Sequence, residues 1–219
     1  MAGPAQAQQA GVTTVAFSCD FPGFNPSHYA FSVNSNREAS YTSNSKVNTT
    51  GDAGPDDAVS TDDSPFHMDL TLSAATTAHI FELARMAHYF EGDLDSKKKN
   101  IAFTGDKSLT YRGPNNGDSY ITHYNYSPVP AVQELTTLFQ NLSATVEFGR
   151  RLDYEYRYQK LALDEEMKHM EETTTLQDVG PDLPVAVPIL QKIADDPSVI
   201  NPVRARAMRL LQHATSSGK

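Results

Sequence analysis

From Phe66 to Leu72 apolar and polar side chains alternate without a break. Phe66, Met68, Leu70 and Leu72 stand against His67, Asp69 and Thr71. A period of two belongs to a strand with one packed and one solvated face, so the chain must build a sheet that is covered on one side. His28–Asn34 repeats the pattern, with Tyr29, Phe31 and Val33 opposite His28, Ala30 and Ser32. Glu38–Ser43 returns from a short polar turn as the second arm of a hairpin, with Ala39 and Tyr41 inward. The β-branched run Val12–Ser18 reads as a further strand. Lys107–Arg112 and Asp118–Tyr126 flank a loop with Asn-Gly turn chemistry and form a second hairpin. The segments Phe21–Pro26 and Gly92–Asn100 read as connectors, one rich in turn residues and one charged.

Two helical patterns supply the cover. Ser73 is placed to cap a helix over Ala74–Phe90, whose stripe is Ile80, Leu83, Ala84, Ala87 and Phe90. Ser127-Pro128 is a cap followed by proline, and a helical pattern runs from there to about Glu172. A helix of about 43 residues would span roughly 65 Å. That exceeds the width of a domain of this size, so its second half must leave the sheet or bend, with Gly149 as the expected weak point. Short helices are expected from Pro188 to Asp196 and from Asn201 to about His213. The predicted class is α+β: an antiparallel sheet of four to six strands, two helices on one face, and a C-terminal helical extension.

The expected organisation is a leader at 1–11, an α+β domain at 12–149, the helical extension at 150–214 and a tail at 215–219. Ala5-Gln6-Ala7 has the small-residue pattern that ends a secretory signal, which implies an exported protein with cleavage after Ala7. Residues 44–65 are Gly, Pro, Ser, Thr and Asp with two valines as their bulky apolar side chains, and read as a mobile loop. No apolar run reaches the length of a membrane span. With 18 basic against 27 acidic residues the net charge is −9, which disfavours nucleic acid as a partner. One cysteine excludes an intramolecular disulfide and a Cys-based zinc site.

Four groups of residues carry candidate chemistry. His28, His67, Asp69 and His123 fall on predicted strands of one sheet and would form a His/carboxylate zinc site if those strands were neighbours. Pairing of His123 with Ile121 on one face leaves open that it turns inward. Asp52, Asp56, Asp57, Asp62 and Asp63 offer oxygens for calcium, although their spacing does not match the twelve-residue calcium loop. Arg150, Arg151, Tyr154 and Tyr158 share the long helix, and Arg and Tyr are enriched in interface hot spots. Ion pairs Arg151–Glu155 and Asp153–Arg157 are expected there. Finally, residues 164–196 are acidic while residues 199–219 are basic, so Arg206 and Arg209 would dock on the acidic helix of the same chain or join two subunits. No G-x-S-x-G, P-loop or dinucleotide fingerprint is present.

Phe66–Leu70, Ile80–Ala84, Ala87–Phe90, Lys107–Tyr111 and Val146–Leu152 together resemble uncharacterised exported proteins of soil bacteria, acidobacteria in particular. The resemblance spans about residues 28–213. It implies an exported bacterial protein and carries over no functional residue. The expectation is a non-catalytic interaction or self-assembly protein of the bacterial envelope or extracellular space, with a protein or a second copy as partner. The alternatives are a metal-dependent enzyme at the His/Asp set and a calcium-modulated binding module.

Overall fold

The computed structural model describes residues 11–45, 65–114, 117–172 and 186–216. The strands are β1 (Thr14–Asp20), β2 (His28–Asn34), β3 (Glu38–Ser43), β4 (Phe66–Thr71), β5 (Asp106–Arg112) and β6 (Ser119–Tyr124). They form one antiparallel sheet in the order β4-β3-β2-β1-β5-β6. The helices are α1 (Ala74–Met86), α2 (Pro130–Tyr158), α3 (Leu163–Glu172), α4 (Val187–Asp195) and α5 (Asn201–Ser216). A single 3-10 turn, His88–Phe90, follows α1. The chain is therefore α+β, with α1 and α2 on one face of the sheet.

The alternation works as the sequence predicts. Val15, Phe17, Phe31, Val33, Tyr41 and Leu109 are buried beneath Ile80 and Leu83 of α1 and Val132, Leu135, Phe139, Leu142 and Val146 of α2. Phe139 lies over the centre of the sheet, stacked on Phe17 with ring centroids 5.2 Å apart and 5.8 Å from Phe31. Ser73 caps α1 by accepting a hydrogen bond from the Thr76 amide. A second core is shared by Phe148 and Leu152 of α2, Leu163 and Met167 of α3, Leu190 and Ile193 of α4, and Val203, Ala207 and Leu210 of α5. The handover from one core to the other falls between Val146 and Phe148 on one continuous helix.

Several helix boundaries differ from expectation. The first helix ends at Met86, short of Phe90, because the chain takes positive φ at His88, Tyr89 and Phe90. The cap of α2 is Val129, with Pro130 in the first turn, two residues beyond Ser127-Pro128. The long helix breaks at Gln159 (φ −142°), not at Gly149. The 159–162 turn lets α3 fold back, so that Leu163, Met167 and Met170 reach Phe148 and Leu152. Gly149 stays helical, and the chain at Ala186 packs against it. The Asp-rich loop lies almost wholly at 46–64, and the leader at 1–10; both fall outside the described residues.

Candidate functional site

The open face of the sheet carries the predicted metal ligands. His67, Thr42, Ala30, Ser18, Ser108 and His123 form one continuous row of cross-strand partners. His67 is on one edge strand and His123 on the other, so five strand spacings of about 4.8 Å separate them by about 24 Å. Both point outward, which removes the inward reading of His123. His28 is engaged with Asp20 at 2.7 Å, and His67 Nε2 lies 3.2 Å from Asp69 Oδ1, with both side chains largely exposed. The four residues share a face but do not form one centre, because strand order, which alternation does not encode, places them apart. Among the described residues no group of three His, Cys, Asp or Glu side chains converges on a metal position. The proposed calcium ligands lie outside the described residues.

The arginines expected to face a partner are taken up within the chain. Arg150 donates to the Ser45 carbonyl at 3.0 Å and lies 4.3 Å over the Phe66 ring. Arg151 pairs with Glu166 of α3 at 2.7 Å, where Glu155 was expected. Asp153–Arg157 forms as predicted, at 2.6 Å. Arg206 bridges Asp164 and Glu171, and Arg209 also reaches Glu171 at 3.2 Å. The basic helix α5 thus docks on acidic α3 in cis. Tyr154 and Tyr158 pack with ring centroids 4.9 Å apart and planes tilted by 45°. Tyr158 is 69% exposed and Leu161, in the following turn, 88%.

Two acids have surroundings that the sequence reading does not anticipate, Glu147 buried and Glu155 partly buried. Glu147 accepts hydrogen bonds from Tyr41 at 2.9 Å and Ser43 at 2.6 Å, joining α2 to β3. The site is dry enough that burial, and then Glu147, push the Tyr41 hydroxyl up. Its hydroxyl therefore stays protonated as a donor. Glu155 is half-buried between α2 and α3. Burial and then Glu166 raise its pKa to about 7, while Arg151 opposes the rise. Its Oε2 has no hydrogen-bond partner among the described residues.

The best-built exposed feature is an aromatic pole at one end of the sheet. It is made of the connector after β1 and of the segment before β5, where the sequence reading has Ile101–Phe103 beginning the next strand or leading into it and the structure starts the strand only at Asp106. Phe21 and Phe24 stack at 4.1 Å, and Phe103 meets Phe21 edge-on at 5.7 Å. Phe21 is partly buried against the main core, while Phe24 is 61% and Phe103 52% exposed. The 95–104 loop is closed at its neck by Asn125. Asn125 N–H donates to Asp95 Oδ1 at 3.1 Å, its Nδ2 donates to the Ala102 carbonyl at 3.0 Å, and its Oδ1 accepts from the Thr104 amide at 2.8 Å. The 21–27 loop is closed by the Phe21 amide on the Ser27 carbonyl at 2.8 Å.

Beneath the neck sits Lys107, buried on the packed face. Its ammonium donates to the carbonyls of Thr104 (2.8 Å), Gly105 (3.0 Å) and Asn125 (2.9 Å), and to Thr104 Oγ1 at 2.9 Å. Burial lowers its pKa, opposed by Cys19 and Asp106. Cys19 is its cross-strand neighbour, buried in the packing, and burial pushes that thiol up. Gly105, at φ +102°, brings the chain so close to the β1 end that a Cβ there would lie 3.0 Å from Cys19 Sγ and 3.2 Å from the Asp20 carbonyl. The exposed phenylalanines are therefore held on an ordered base. The one signal for them in the sequence is phenylalanine inside turn chemistry, at Pro22-Gly23-Phe24 and Ala102-Phe103-Thr104, where no periodic pattern asks for it.

Comparison of the chain with family models, with curated proteins and with solved structures finds no match.

Proposed function

We propose that this chain is a non-catalytic interaction protein of the bacterial envelope or extracellular space, and that the aromatic pole is its docking element. The observation that carries the reading is the Phe21–Phe24–Phe103 cluster, in which Phe24 and Phe103 are exposed and the loop that carries Phe103 is fixed by Asn125 and Lys107. Scattered surface apolar residues need no explanation, but a preformed aromatic cluster kept in water is the kind of surface that binding buries. The Ala5-Gln6-Ala7 pattern supports export. A photoreactive phenylalanine at position 24, in cells that export the chain, tests the reading. It should give a specific adduct, while the same probe at exposed Met208 on α5 should not. Equal labelling from both positions would refute the pole as the docking element.

A second reading is favoured by Tyr158 and Leu161, which leave the turn between α2 and α3 apolar and exposed. They fit self-association at that turn. Light scattering coupled to size exclusion should then show an oligomer that Leu161→Ser dissolves; a monomer of 24.0 kDa at high concentration removes this reading.

A further inference from the structure

We infer that the aromatic pole inserts into an anionic lipid bilayer, an inference that rests on the pole being the docking element. Three observations support it. First, Phe24 and Phe103 both pack on Phe21 and are exposed to 61% and 52%. A protein partner of standard size buries about 800 Å² on each side. A bilayer asks only that apolar side chains protrude far enough to enter the acyl boundary. Second, the loop that carries Phe103 also carries Lys97, Lys98 and Lys99, all exposed. Lysine stems can follow the phenylalanines while their ammonium groups stay at headgroup level.

Third, two of the three lysines carry no ion pair among the described residues. Asp93 is paired with Lys97. Asp95 accepts from the backbone amides of Asn125, Tyr126 and Lys97. Asp20 lies 2.7 Å from His28, and it and its cross-strand neighbour Asp106 belong to the open sheet face. Lys98 and Lys99 are exposed, make no ion pair among the described residues and can meet anionic headgroups. The net charge of −9 opposes adsorption by other sides of the molecule, so the pole would also set its orientation.

The chain has no tryptophan, so Phe24→Trp introduces a single fluorescent reporter at the tip. The full chain is titrated with vesicles of phosphatidylcholine alone and of phosphatidylcholine mixed with phosphatidylglycerol. The expected result is a shift of emission to shorter wavelength, stronger with phosphatidylglycerol and reduced by salt. Adding Phe103→Ser should weaken partitioning about tenfold, since it removes one buried aromatic side chain. Lys98→Glu with Lys99→Glu should weaken binding to the anionic vesicles alone. Thermal melts of each variant confirm folding, and because the altered side chains are exposed the melts should match the parent. Unchanged emission with both vesicles overturns the inference, as does a shift that survives Phe103→Ser. A protein adduct from the photoreactive probe at position 24, together with no response to vesicles, overturns the lipid partner but leaves the docking reading. Failure of both experiments removes both.

Discussion

Replacing Glu155 by glutamine should stabilise the protein above neutral pH and change little in acid. In the unfolded chain this carboxyl titrates near its ordinary 4.5; in the folded protein burial and the neighbouring Glu166 hold it up to about 7. Below pH 4.5 it is protonated in both states and adds no pH dependence. Between 4.5 and 7 the unfolded chain loses its proton first, so the folded state binds more protons and stability falls as pH rises. Above 7 the folded state carries the whole penalty. At about 1.36 kcal/mol per pH unit, a displacement from 4.5 to about 7 amounts to about 3 kcal/mol. The side chain is only half-buried, and solvent screening reduces this to about 1–2 kcal/mol. For a chain of this length that is a rise of about 2–8 °C in Tm for Glu155→Gln at pH 8. The groups facing it are Arg151 on α2 and Glu165 and Glu166 on α3. The assay is calorimetry of both proteins at pH 5 and pH 8, and the quantity that matters is the difference between them, because it cancels the other titrating groups. Equal melting temperatures at pH 8, or the same difference at both pH values, would refute the argument.

Gly149→Ala should raise stability by about 0.5–1 kcal/mol, because the position is helical and the added Cβ would sit at ordinary contact, 3.7 Å from Ala186 Cα. Urea unfolding checks it; a loss of stability would mean the approach of Ala186 is tighter than that distance. Lys107→Met should lower stability by about 2–4 kcal/mol, since it strips the donor from three carbonyls at the loop neck, offset in part by relief of a desolvated charge. Hydrogen exchange should speed up at Thr104 and Asn125 in the same variant, and unchanged exchange there would show that Lys107 does not hold the pole. Gly105→Ala should cost more than about 2 kcal/mol, through its positive φ and the 3.0 Å approach to Cys19; a melt equal to the parent's would contradict the close packing.

What the sequence made legible follows from where each signal is stored. Strand Phe66–Thr71 carries its own evidence, because its side chains alternate whichever strand it pairs with. The row from His67 to His123 is a relation among six strands, and no single strand contains it. That is why four residues that share one face, with His123 left open by the sequence, do not make one site. The break at Gln159 has a similar cause. No proline or glycine marks it, and it is stabilised by Leu163 and Met167 returning to Phe148 and Leu152, contacts that exist only after the turn has formed. Charge asymmetry between residues 164–196 and 199–219 was readable, since blocks of opposite sign attract at any geometry. The choice between cis and trans was not, because it depended on α3 folding back to present Asp164 and Glu171 to Arg206. The aromatic pole lies at the far end of this scale. Phe24 and Phe103 are 79 residues apart, in segments with no period, and both pack on Phe21, which the chain at Gly105 passes closely. A packed core can be inferred from pattern because burial repeats along an element; a surface assembled from loop tips has no repeat, and its residues stand out only as apolar side chains that the pattern does not need.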